Sequence, residues 1–178
     1  FFYLPILYII VFSFNDSRSL TKFGGFSLRW YEKMFADSTM MEAVLYTVII
    51  ALIATVVSTV VGTITAIGLS KSRKVVQKMV ERINDLPVMN PDIVTAISLL
   101  MFFSVLTVKK GFGTLLIAHI AFNVPYVIFN VTPKLKQLDI KLFEAALDLG
   151  CDPRQAFFKV ILPEISPAIL SGFLISLT

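Results

Sequence analysis

From Ala43 to Leu69 the chain runs without a single charged residue. As a helix rising about 1.5 Å per residue, that stretch is about 40 Å long, more than the roughly 30 Å of a bilayer's hydrocarbon core. It reads as a membrane span. Two more stretches read the same way: Gly111–Pro133 is uncharged, and Val88–Val108 carries only Asp92, near one end. Phe1–Phe14 and the last residues to Thr178 are apolar but short, and are read as spans cut at the two ends. The expected spans therefore fall at about 1–14, 43–69, 88–108, 112–131 and 164–178. Composition excludes the alternative of a soluble domain, since 56% of residues are hydrophobic, 16 are Phe, and the mean hydropathy is +0.81. The fold class is an all-α integral membrane protein.

The basic residues give the orientation. Lys71, Arg73, Lys74, Lys78 and Arg82 follow the second span, and Lys134, Lys136, Lys141, Arg154 and Lys159 follow the fourth. By the positive-inside bias, loops 70–87 and 132–163 are cytoplasmic and loop 13–42 is outside. In that outer loop Arg18, Lys22, Arg29 and Lys33 are balanced by acidic neighbours.

The second cytoplasmic loop has a shape of its own. Lys141 to Leu149 is a run of good helix formers, and Gly150 falls where a left-handed C-terminal cap belongs. Asp152 can then cap a second short helix, with Pro153 at its first position and Gln155 completing a capping box. Pro163 is expected to close that second helix. The product is a helix, a tight glycine turn and another helix, with Ala145 and Ala146 small enough for a partner surface to approach the backbone.

Glu144-Ala145-Ala146, Gly150, Val160, Leu162 and Pro163 together resemble the E-A-A-x-x-x-G-x9-I-x-L-P loop by which membrane subunits of ATP-binding-cassette importers grip their ATPase. The one departure is Val160 in place of Ile. Phe26-Ser27-Leu28-Arg29-Trp30-Tyr31, Asn90-Pro91-Asp92-Ile93-Val94, and His119-Ile120-Ala121-Phe122 with Pro125-Tyr126-Val127 look like the C-type permeases of spermidine/putrescine importers. The resemblance runs through most of the chain. It implies a MetI-like bundle of six helices, of which this chain holds about four spans plus part of a fifth, in the bacterial cytoplasmic (inner) membrane. It also implies a second, B-type permease alongside, a cytoplasmic ABC ATPase homodimer that binds ATP and Mg, and a periplasmic or lipid-anchored substrate-binding protein. The coupling contact would fall on Glu144, Ala145, Ala146, Gly150, Leu162 and Pro163, and the substrate would be a polyamine. A permease for another small solute is the alternative within the class, and a gradient-driven secondary transporter is the alternative outside it.

Four residues are candidates for the substrate path: Asp92, Trp30, Tyr31 and Asn123. Ser27 is a plausible cap for a helix over Leu28–Phe35, which sets Trp30, Tyr31, Met34 and Phe35 on one face. That face either anchors an interfacial helix or presents Trp30 or Tyr31 to a cationic substrate. Asp92 sits just inside the expected inner boundary of the third span. With Asn90 as cap and Pro91 as the first helical residue, it either complements the helix dipole or binds an ammonium group.

The chain has no G-x-x-x-x-G-K-[ST] loop to cradle a nucleotide, and Cys151 is its only cysteine. His119, the only histidine, reads as a packing or hydrogen-bonding residue. No nucleophile and base pair is visible, so the chain reads as neither an enzyme nor a holder of its own cofactor or metal, and nucleic acid is not among its expected partners.

Overall fold

The computed structural model describes residues 1–178, Ile140 by its backbone alone. The described elements are helices α1 (Leu4–Ser13), α2 (Arg29–Ala36), α3 (Ser38–Ser70), α4 (Lys74–Met89), α5 (Asp92–Val105), α6 (Phe112–Gln137), α7 (Ile140–Asp148), α8 (Pro153–Ala156) and α9 (Leu162–Leu177), with a π-helical turn at Phe157–Ile161. One isolated bridge pairs Asn15 with Phe26. The chain forms two compact units, Phe1–Val48 and Ile49–Thr178.

In the first unit, Asn15 organises the segment between α1 and α2. Its side-chain amide donates to the carbonyls of Ser19 and Lys22, both at 2.8 Å, and its Oδ1 accepts from the backbone N–H of Gly24 at 2.6 Å. Asn15 is almost wholly buried, so these bonds satisfy a polar group that would otherwise be costly to bury. Gly25 takes φ +123, a left-handed conformation open to glycine. The α3 start is set by Asp37, whose Oδ1 accepts from the N–H groups of Thr39 and Met40.

Among the described residues three helices are long and apolar enough to cross a membrane: Ser38–Ser70, Phe112–Gln137 and the continuous stretch Pro153–Leu177. In the second unit α3, α6 and α9 meet around Val127 on α6, which is fully buried with Ala66 and Val131. Gly62 on α3 and Gly172 on α9 make that approach possible. A Cβ on Gly62 would stand 2.7 Å from the Val127 Cβ, and one on Gly172 would stand 3.3 Å from the Val127 Cα. Small residues at helix crossings serve this purpose in membranes, where dispersion contacts rather than water drive association.

The sequence expectations change at three places. The charged stretch 70–87, read as a loop, contains α4, an amphipathic helix that reaches Met89. Where a single third span was expected over 88–108, α4 and α5 meet at an angle of 106°. The cause is local: Pro91 lacks an N–H and forces Asn90 into an extended conformation, φ −84 and ψ 144, which ends α4. Pro91 is thereby the cap and Asp92 the first residue of α5, one position later than the sequence suggested, and Asn90 makes no capping bond. Third, Pro163 does not close the helix begun at Pro153. The helix continues to Leu177 through the wide π-turn at Phe157–Ile161, and that turn contains Lys159, the residue whose carbonyl the Pro163 ring would crowd in an α-helix.

Candidate functional site

The elbow at residues 139–163 is built by local chemistry. Asp139 caps α7, its Oδ1 accepting from the Lys141 N–H at 3.0 Å. Gly150 stops α7 with φ +88, and its N–H donates to the Leu147 carbonyl at 2.9 Å while the Cys151 N–H donates to that of Ala146 at 3.1 Å. Asp152 then caps α8 by accepting from the N–H groups of Arg154 and Gln155, both at 2.8 Å.

The two alanines of this elbow face different ways. Ala145 is exposed, whereas Ala146 is buried at 7% exposure. Leu142, Ala145 and Leu149 recur at spacings of three and four, so they share one helical stripe, and Leu149 is 86% exposed. Glu144 and Gly150 are exposed as well, and Leu162 and Pro163 lie at the start of α9. α7 is thus a capped helix with an apolar stripe open on its surface.

Two ion pairs flank the elbow. Lys134 on α6 meets Glu164 on α9 at 2.7 Å, and Lys136 on α6 meets Glu81 on α4 at 2.7 Å. Deeper, the buried Asn84 of α4 donates to the Pro125 carbonyl at 3.0 Å. α4 is thus fastened to α6 at two levels. The ion pairs are partly exposed and contribute little to stability, so their effect is to fix geometry.

The candidate path residues fall in separate surroundings. Asp92 is exposed at the start of α5, in the break of the bent pair. The Tyr126 ring lies 5.6 Å from that of Phe122. Asn123 lies on α6, where its amide donates to the Ser176 carbonyl at 2.9 Å, an oxygen that also accepts from Thr55 Oγ1 at 3.0 Å. It joins α6 to α9. His119 Nδ1 is 2.8 Å from the Leu115 carbonyl, a contact within its own helix.

In the first unit, Trp30 donates from Nε1 to the Asn15 carbonyl at 2.9 Å, and the Tyr31 hydroxyl bonds that of Ser13 at 2.7 Å. The Arg29 N–H donates to Ser27 Oγ at 3.2 Å, so Ser27 supports the start of α2 from one residue before its cap position. The Trp30 ring is surrounded by Arg29, Lys33 and Arg18. Sequence reasoning missed this cluster, because Arg18 is twelve positions away and only the folded segment around Asn15 brings it to the ring.

Among the described residues no group of three or more His, Cys, Asp or Glu side chains is placed to hold a metal. Comparison with known families matches residues 58–178 to the model described as "binding-protein-dependent transport system inner membrane component". Among curated proteins, the chain is 39% identical over 178 residues to the spermidine/putrescine transport system permease protein PotC of Haemophilus influenzae, covering all of this chain and 69% of that protein. It is 35% identical over 178 residues to PotC of Escherichia coli strain K12, covering all of this chain and 67% of that protein. It is 36% identical over 185 residues to the putrescine transport system permease protein PotI of the same strain, covering all of this chain and 66% of that protein.

Proposed function

Since the chain belongs to the family of binding-protein-dependent transport system inner membrane components, the permeases of ABC importers, we propose that it forms part of a polyamine path and couples that path to a separate ATPase through α7. The family is one of transport permeases and not of enzymes. Hydrolysis of ATP, with its Mg, belongs to the partner, and a substrate-binding protein and a second permease complete the assembly. The observation that carries the coupling role is the elbow: a helix capped by Asp139, reversed at Gly150 and restarted by Asp152, with Leu142, Ala145 and Leu149 exposed along one stripe.

The polyamine assignment is supported by the relatives' names, which specify spermidine with putrescine in one case and putrescine in the other. Asp92 is the residue we assign to an ammonium group, because it is an exposed carboxylate at a helix break, where transporters bind cations. Trp30 and Tyr31 are better suited to anchoring α2, since side chains of their own chain already occupy the surroundings of Trp30 and the Tyr31 hydroxyl. In this reading the elbow faces the cytoplasm and the segment around Trp30 faces outside.

Uptake of labelled spermidine and putrescine by cells carrying the complete importer tests the reading. Loss of uptake on ATP depletion with the membrane potential kept is the expected result. Uptake that follows the potential and ignores ATP would replace the proposal with a gradient-driven transporter.

A further inference from the structure

Three basic side chains surround one indole in the first unit. The Trp30 ring centroid lies 4.9 Å from the Arg29 guanidinium carbon, 5.2 Å from Lys33 Nζ and 5.7 Å from the Arg18 guanidinium carbon. Arg29 is paired with Asp16 at 3.4 Å. Among the described residues no carboxylate comes within 4.0 Å of Arg18 or Lys33. Attraction to the ring offsets part of the repulsion among three cations, but an anion between them would remove more of it.

Arg18 also lines a cleft of about 570 Å³. Beside it stand Ser17 and an apolar floor of Phe12, Trp30 and Met34 with Leu20 on its exposed rim, and among the described residues no acidic side chain lines the cleft. One cationic end and one apolar floor describe an amphiphile that carries a negative charge. The cleft opens from the last turn of α1, in a stretch with no charge from Phe1 to Phe14, and the first cation after that stretch is Arg18. Trp30, Tyr31 and Tyr8 stand at the same end, the residue types that gather where hydrocarbon gives way to headgroups. Asn15 holds the loop carrying Arg18 through its bonds to the Ser19 and Lys22 carbonyls, so the cation is positioned before any ligand arrives.

We propose that this cleft binds an anionic phospholipid, with the phosphate at Arg18 and Ser17 and an acyl chain along Phe12, Leu20 and Met34. Lipid is favoured over a protein segment because the apolar floor continues directly from the uncharged α1. A net anionic lipid is favoured over a zwitterionic one because the lining holds Arg18 and no carboxylate, and the Trp30 ring, which could otherwise face a headgroup ammonium, already has three cations around it.

Native mass spectrometry of the assembled importer tests this, after detergent purification and re-exposure to phosphatidylglycerol or phosphatidylcholine. The wild-type complex should retain phosphatidylglycerol preferentially. Arg18→Gln should lower that retention about fivefold, the effect of one basic charge near a lipid surface, while phosphatidylcholine retention is unchanged and Arg18→Lys keeps most of the binding. If Arg18→Gln fails to assemble, Leu20→Asp on the exposed rim has to cause the same loss. Equal retention of the two lipids, or unchanged phosphatidylglycerol retention in Arg18→Gln, overturns the proposal. So does stripping of the lipid by millimolar inorganic phosphate, which would make this a phosphate site. A variant that binds lipid normally but loses affinity for the substrate-binding protein would overturn it in favour of a protein contact.

Discussion

Gly62 on α3 faces Val127 on α6 with no space for a methyl group: a Cβ at position 62 would lie 2.7 Å from the Val127 Cβ. That crossing holds the buried centre of the second unit together, since Ala66 and Val131 pack at the same place. Gly62→Ala should therefore destabilise the helix bundle by about 1–3 kcal/mol, the usual cost of overpacking a filled core. Thermal unfolding in detergent reads the loss. Val127→Ala should recover part of it in the double variant, because the two side chains compete for one volume and their effects are not additive. An unchanged Tm in Gly62→Ala would show that α3 and α6 are not so closely apposed.

The exposed stripe on α7 predicts how the ATPase is lost. Leu142→Glu and Leu149→Glu put a charge on side chains that are 49% and 86% exposed. Neither change should disturb insertion or helix content. Co-purification of the ATPase with the permease should drop sharply in both, because a buried, unpaired carboxylate is costly at an interface. Lys109→Glu, far along the chain from α7, should leave it unaffected. Retention of the ATPase by both leucine variants would remove α7 from the contact.

Asp92 separates a structural role from a substrate role. Asp92→Asn keeps most of the polar shape at the start of α5 but removes the charge. If the carboxylate serves only the helix dipole, the change costs about 0.3–1 kcal/mol and transport is nearly normal. The proposed ammonium contact requires severe loss of polyamine uptake in a complex that still assembles. Dose–response of uptake against external spermidine distinguishes the two outcomes.

The apolar runs and the elbow were legible because their causes are local. A helix stop at Gly150 and a cap at Asp152 need only the residues within one turn of them. The prolines were less legible. Pro91 ends α4 because its ring acts on the adjacent Asn90, whereas Pro163 lies inside a continuous helix because a π-turn precedes it. Asn90 before Pro91 is a local turn signal, whereas nothing beside Pro163 announces the π-turn that keeps its helix continuous. The two alanines of the elbow illustrate another limit: Ala145 and Ala146 look equivalent in sequence, and only packing of the folded chain buries the second. The bond of Asn84 to Pro125, forty-one positions apart, was likewise beyond any local pattern.

The most direct test of coupling is the ATPase rate of the reconstituted importer with and without its loaded substrate-binding protein, comparing wild type with Gly150→Val. At φ +88 a β-branched residue is strained by roughly 1–2 kcal/mol, so α7 should leave its orientation while the spans remain inserted. The account predicts that binding protein no longer stimulates hydrolysis and that uptake stops. Full stimulation and full uptake by Gly150→Val would contradict it.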